Sequence, residues 1–224
     1  MSIKDLKQKL FAQLASVGKA LANGNRLELL DFLAQKERSV EALARLANLT
    51  IANTSQHLQH LRRAGLITAR KKDRHVFYAI ADETVLSLIT VLRKTAEKNS
   101  AEMSRLVERY LTARDTLEPI SKKVLMKRIE DGIVTIIDVR PAEEFEAGHL
   151  PNAINIPIDC LEQEIQSLSL ESEIVAYCRG PYCLLSFEAV DMLRAKGIHA
   201  RRLEDGFPEW ELAGLPIKRA INPS

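Results

Sequence analysis

Apolar residues recur every three or four positions through the first half of the chain and gather into short blocks through the second. Leu6, Leu10, Leu14 and Val17 fall on one side of a helix. Leu27, Leu29, Leu30, Phe32 and Leu33 make a second helix after the break at Asn23-Gly24-Asn25. Ser39 stands where an N-cap belongs, ahead of VEALARLA, whose Val40, Leu43, Ala44 and Ala47 share a face. After the break at Asn48-Leu49, Thr50 can cap a further helix running to about Ala64 and ended by Gly65. Two β-favouring runs, LITA and HVFYAI, then flank Arg70-Lys71-Lys72-Asp73-Arg74, a hairpin with a basic tip. From about Glu83 to Thr112 a long helical pattern carries Val85, Leu88, Ile89, Leu92 and Ala96, then Met103, Leu106, Val107 and Tyr110. Such a helix would reach about 45 Å. That is more apolar face than a small domain covers, so a partner chain is expected over the excess.

Around Asp115-Thr116-Leu117-Glu118-Pro119 the pattern changes, placing the boundary between domains of residues 1–114 and 115–224. Beyond it helices alternate with apolar strands. KKVLMKRIED, AEEFEA, LEQEIQSL, LLSFEAVDMLRAKG and PEWELA read as helices, and VTIID, AINIP, EIVAYC and HARRL as strands. Alternation with nearly all-apolar strands implies a mostly parallel sheet covered on both faces. The expected architecture is therefore multidomain: an all-α winged helix-turn-helix with a β-hairpin wing, then an α/β domain.

Charge sharpens the division. The net charge of +2 conceals a first half with 20 Lys/Arg against 11 Asp/Glu and a second with 12 against 19. A basic half beside an acidic half suggests that only the first meets a polyanion. No apolar run approaches the roughly 18 residues of a membrane span. The charged, amphipathic N-terminus does not read as a secretion signal, so no membrane partner and a cytoplasmic location are expected. All three cysteines, Cys160, Cys178 and Cys183, lie in the acidic half, and their odd number suggests reactive thiols rather than a disulfide framework.

The short helix and the one after it, joined at Asn48-Leu49, have helix-turn-helix spacing. In TIANTSQHLQHLRRAGL, Ile51, Leu58, Leu61 and Leu66 are expected to face inward. The other face offers Asn53, Thr54, Ser55, Gln56, His57 and Gln59, side chains able to bond base edges in a major groove. Arg62, Arg63, Lys71, Lys72 and Arg74 can grip phosphates. A solvated polar face is the plainer reading of the helix alone; the helix pair, the basic hairpin and the charge favour a DNA reader. ALANGNRLELLDFL, SVEALARLANLTIANTSQHLQHLRRAGLI and HVFYAI resemble the ArsR/SmtB family of winged-helix repressors over about residues 15–95. The resemblance implies a homodimer on an inverted repeat of double-stranded DNA, with Asn53 to His57 as groove readers and Lys71 to Arg74 as the wing. Metal-sensing members carry cysteines near the helix that here reads ERSVEALARL, or His and Asp on the terminal helix. This half has no cysteine, and DETVLSLITVLRKTAEK has no histidine, so neither a metal nor any other cofactor is expected.

YCRGPYCLLS carries the second chemistry. EIVAY delivers Cys178 to a short loop, and a helix begins just after Cys183. Backbone N–H groups of residues 179–183 can converge on the sulfur with the positive helix end behind them, and Arg179 adds a full charge. Both favour the reactive thiolate. Gly180 allows the backbone to turn. A buried structural cysteine is the bland alternative. IIDVRPAEEFEAGHLPNAINIPI, the loop and LEDGFPEWELAGLPI resemble the rhodanese domain over roughly residues 118–220, with Asp205-Gly206 where many members have two glycines. The resemblance implies that Cys178 takes sulfane sulfur from a small donor and passes it to a thiol acceptor. Arg179, Gly180, Pro181, Tyr182 and Cys183 line the substrate loop, and Arg179 anchors an anionic donor. Related phosphatases have a seven-residue loop ending in arginine, whereas position 184 here is leucine. Asp138, Arg140 and Trp210 read as structural, Cys160 as incidental, and Cys183 either packs or resolves a persulfide on Cys178. Two functions remain: a repressor that senses sulfur through Cys178, or a sulfurtransferase whose DNA-binding half regulates without sensing.

Overall fold

Helices in the first half start where their capping side chains stand. In the computed structural model, which describes residues 2–111, 119–165 and 172–220, α1 (Ile3–Leu21) is capped by Ser2 and α2 (Gly24–Gln35) by Asn23. Ser39 accepts from the Ala42 amide to open α3 (Val40–Leu46), and Thr50 from the Asn53 amide to open α4 (Ile51–Arg63). Asn48 between them adopts a positive φ of 51°, which turns the chain in a few residues. β1 (Arg38–Ser39), β2 (Ile67–Lys72) and β3 (His75–Ile80) form an antiparallel sheet in the order β1-β3-β2. Pairing runs out to Lys72 opposite His75, so the strands take up most of the expected five-residue tip, leaving Asp73-Arg74 as the turn. Leu29, Leu30, Leu43, Leu58, Leu61 and Val85 belong to the core of this winged helix.

The expected long helix is two. α5 (Glu83–Asn99) stops and α6 (Ala101–Tyr110) starts afresh, with the Ser100 hydroxyl accepting from the Met103 amide. Between Ala96 and Met103 the sequence EKNSAE has only one small apolar residue, so nothing holds the backbone against a capping serine. The expected end at Thr112, like most of the expected boundary segment, lies outside the described residues. The chain divides into compact units at Ile89 and Thr90, within α5.

In the second unit, β4 (Val134–Asp138), β5 (Ile154–Asn155), β6 (Glu173–Tyr177) and β7 (Ala200–Arg202) form an all-parallel sheet in the order β5-β4-β6-β7. On one face Ile137, Ile174, Ala176 and Cys178 pack with residues of α9 (Ile158–Glu164) and α10 (Leu184–Ala195). On the other, Ile136, Val175 and Tyr177 pack with Leu125 of α7 (Lys122–Glu130) and with Phe207 and Trp210 of α11 (Phe207–Leu212). Trp210 is fully buried and its indole donates to the Pro216 carbonyl at 2.8 Å. Helices on both sides of a parallel sheet match the expected α/β class. The last part of LEQEIQSL lies outside the described residues.

Candidate functional sites

Strand β6 ends at Tyr177, and the next residue, Cys178, is 1% exposed. Cys178 and Cys183 are joined in a disulfide with their Cα atoms 6.2 Å apart, so the loop brings both sulfurs together. Cys183, half-buried, is the N-cap of α10. Its amide donates to the Gly180 carbonyl at 3.1 Å, so it is not among the N–H groups free to face the Cys178 sulfur. Cys160 is an exposed free cysteine on α9.

Arg179, expected to anchor an anionic donor, is paired with a carboxylate of its own domain. Its Nε and Nη2 donate to the Glu144 carboxylate at 2.7–3.0 Å. Glu144, in α8 (Ala142–Ala147), is fully buried, and a buried carboxylate needs a cation beside it. The guanidinium therefore answers a resident carboxylate. Beneath it, Asp138 and Arg140 form a fully buried ion pair. The Arg140 Nη2 also donates to the Gly148 carbonyl at 2.7 Å, and its guanidinium lies over the Phe207 ring, 4.6 Å from the centroid.

From the opposite side the segment before α11 is pressed against the loop. Phe207 donates its amide to the Cys178 carbonyl at 3.1 Å. Gly206 sits so close that a Cβ there would stand 2.3 Å from the Gly180 nitrogen. Glu209 accepts from the Gly206 amide at 3.1 Å and from Arg93 of α5 at 2.8 Å. Tyr182, at the loop's outer edge, donates its hydroxyl to Glu97, one turn further along α5. Burial first, then the Glu97 hydrogen bond and charge, push the Tyr182 phenol well above its ordinary range and keep it a donor. Sequence reasoning missed Glu144, Glu209, Arg93 and Glu97. The doublet Glu143-Glu144 does not show which carboxylate is buried, and the partners of Arg93 and Glu97 lie 116 and 85 positions away.

On α4 the polar stripe is narrower than expected. Thr54 is fully buried, its hydroxyl donating to the Thr50 carbonyl at 3.0 Å, and it cannot reach a base edge. Ile51, expected inside, is 54% exposed because nothing covers the first turn. Gln56 and Gln59 are exposed, and Asn53, Ser55 and His57 are half-buried. The His57 Nδ1 is buried with no hydrogen-bond partner among the described residues. Burial, then the charges of Arg26 and His60, hold the His57 imidazole below its ordinary range. Arg62, Arg63, Lys71, Lys72 and Arg74 are all exposed. Among the described residues no helix is long and apolar enough to cross a membrane.

The rhodanese-like domain family matches residues 121–213, and a helix-turn-helix domain family matches residues 21–70. The HTH-type transcriptional regulator Rv0324 of Mycobacterium tuberculosis is 43% identical over 213 residues, which is 95% of this chain and 93% of its own. The transcriptional activator HlyU of Vibrio cholerae is 35% identical over 94 residues, 42% of this chain and 86% of its own. Among solved structures, the homodimeric winged helix-turn-helix DNA-binding domain Mb0332 (fragment 1–100) of Mycobacterium bovis, a possible ArsR-family regulator, is 40% identical. It covers 46% of this chain and 93% of its own, with a TM-score of 0.42.

Proposed function

Because the chain belongs to the family of the HTH-type transcriptional regulator Rv0324, with an ArsR-type winged helix and a rhodanese-like domain in one polypeptide, we propose that it is a repressor whose hold on its operator answers to sulfane sulfur captured at Cys178. One observation carries the reading. Cys178 and Cys183 meet within a single loop, while residues 1–114 contain no cysteine through which a thiol signal could enter.

The chemistry begins with the reduced loop. The Cys178 thiolate attacks the sulfane sulfur of a persulfide or of thiosulfate, forming a Cys178 persulfide and releasing a thiolate or sulfite. The Cys183 thiolate then attacks the inner sulfur. A Cys178–Cys183 disulfide forms and the outer sulfur leaves as hydrosulfide, so the sulfane sulfur is reduced as the two cysteines are oxidised. Two equivalents of a small thiol reset the loop. At the other end of the chain, Gln56 with Asn53 and Ser55 faces base edges, and Lys71, Lys72 and Arg74 with Arg62 and Arg63 hold phosphates. Leu10, Phe11 and Leu14 of α1 and Val91 of α5 are exposed apolar residues that a second copy of the chain would cover, giving a homodimer on an inverted repeat.

Titrating operator fragments with the intact protein, Cys178→Ser and Cys183→Ser, each reduced and polysulfide-treated, tests the proposal. The intact protein is expected to change affinity by about 5–150-fold on treatment, a coupling of about 1–3 kcal/mol. Cys178→Ser should be blind to it, and Cys183→Ser should gain one sulfur yet lose most of the shift. Identical curves for reduced and treated intact protein would instead leave a sulfurtransferase whose DNA-binding half does not sense.

A further inference from the structure

We propose that α5 supplies two positioning residues, Arg93 and Glu97, to the sulfur loop, so that the order of this helix is tied to the chemical state of Cys178 and Cys183. Neither residue lies in the stretches matched by the helix-turn-helix and rhodanese-like families. The inference deepens the sulfur chemistry proposed above and rests on it for its purpose, though not for its test.

Arg93 and Glu97 are four residues apart and share one face of α5. Each holds the loop by a separate route. Arg93 grips Glu209 in an ion pair whose side chains are 13% and 10% exposed. Glu209 holds the Gly206 amide, Gly206 lies against the backbone of Arg179 and Gly180, and Phe207 donates to the Cys178 carbonyl. Glu97 takes the hydroxyl of Tyr182, the residue beside Cys183. Arg93 also lies 5.8 Å from the centre of the Tyr182 ring, which closes the two routes on each other. Val85, eight positions before Arg93, is buried in the winged-helix core.

Sulfur chemistry at this site has to disturb those contacts. Cys178 is almost fully buried, and a persulfide adds an atom about 2.05 Å beyond its sulfur. In the disulfide the Cys183 sulfur holds the place beside the Cys178 sulfur that this atom takes, so a persulfide requires Cys183 to move away. Opening the disulfide likewise frees Cys183 and, with it, the adjacent Tyr182. A shift of Tyr182 breaks its bond to Glu97, and a shift of Gly180 bears on Gly206 and so on the Glu209–Arg93 pair. The last two turns of α5 then lose what orders them.

Amide hydrogen exchange of the full-length protein, resolved to the peptide covering residues 90–99, tests this in the disulfide form and after dithiothreitol reduction. That comparison needs no sulfur donor. Reduction should raise exchange at residues 93–99 by about fivefold or more in the intact chain. Tyr182→Phe and Glu97→Ala should exchange at the raised rate in both forms, whereas Glu97→Gln, which keeps an acceptor, should respond as the intact chain does. Equal exchange in the two forms of the intact chain overturns the inference, as does an undiminished response in Tyr182→Phe. The operator titration reports separately: an α5 that responds while operator affinity ignores polysulfide removes the sensing function and keeps the positioning residues.

Discussion

Replacing Gly206 with alanine places one methyl group against the backbone of the sulfur loop. The φ of −112° at this position suits any residue, so the cost is contact rather than conformation. The new Cβ would stand 2.3 Å from the Gly180 nitrogen, 2.4 Å from the Arg179 carbonyl carbon and 2.5 Å from its oxygen. Comfortable separations are about 3.5–4.0 Å, and backbone atoms cannot swing aside, so loop and segment must part by about 1 Å. Overpacking of this kind costs about 1–3 kcal/mol, and the rigidity of both partners argues for the upper end. The unit of residues 90–224 lies between the size classes in which each kcal/mol lowers Tm by about 4–8 °C and about 2–4 °C, so a fall of about 6–15 °C is expected. Parting the two segments also stretches the bond from Phe207 to the Cys178 carbonyl. A displacement of about 1 Å at a reacting centre can cost about 100-fold in rate. Calorimetry of the reduced protein gives the first quantity, and the rate at which Cys178 gains one sulfur in mass spectrometry gives the second. A Tm within about 1 °C of the parent, together with an unchanged rate of sulfur uptake, would show that Gly206 does not brace the loop.

Further outcomes follow from the same geometry. Gln56→Ala should weaken a specific operator by about 1–3 kcal/mol and leave random DNA nearly untouched, while Thr54→Ala should lower the winged helix's stability without relaxing specificity; the reverse pattern in binding and melting experiments would invert the reading face. Lys71→Ala should weaken all sequences alike and flatten the salt dependence by about one unit of slope, which a log–log salt titration measures. Asp138→Asn strands the buried Arg140 charge and should cost about 3–5 kcal/mol in urea unfolding, a loss below about 1 kcal/mol counting against it. Glu144→Gln removes the carboxylate that occupies Arg179 and should raise the rate with thiosulfate relative to a singly charged persulfide, a ratio that competition kinetics reads directly. His57, held below its ordinary range by burial and by Arg26 and His60, is favoured neutral in the fold. Its contribution is therefore full above the unfolded value of about 6.5 and is lost as pH falls below it, so His57→Gln should flatten the acid-side fall in Tm; an unchanged slope would clear His57 of that role.

Features fixed by neighbours in sequence were legible in advance. Ser39 and Thr50 cap helices because a hydroxyl before an apolar-periodic run has the orphan amides within reach. The strand–loop–helix around Cys178 was legible for a similar reason, since EIVAY has the apolar run of a doubly covered strand. The break at Ser100 was signalled by the empty stretch in the apolar stripe between Ala96 and Met103, but a stripe resuming two turns later looks continuous when only its period is followed. Thr54 misled because polarity was equated with exposure, whereas a threonine can satisfy its hydroxyl on the carbonyl one turn back and enter the core. Arg93, Glu97 and Glu209 gave no sign, because charges on an amphipathic helix look the same whether water or a distant carboxylate answers them.

Where the second unit begins matters for anyone who would cut the chain in two. The change of composition near residue 115 invites a scission there, and the fragment so obtained would carry every residue of the rhodanese-like match. The compact unit starts at Thr90, however, and the fragment would leave Arg93 and Glu97 behind. Glu209 would then keep a carboxylate with its guanidinium missing, and Tyr182 a phenol with no acceptor on α5. Turnover measured on that fragment would describe a loop released from its brace and not the loop of the whole protein. A fragment starting at Thr90 carries both side chains, and the difference in turnover between the two isolates what those twenty-odd extra residues contribute.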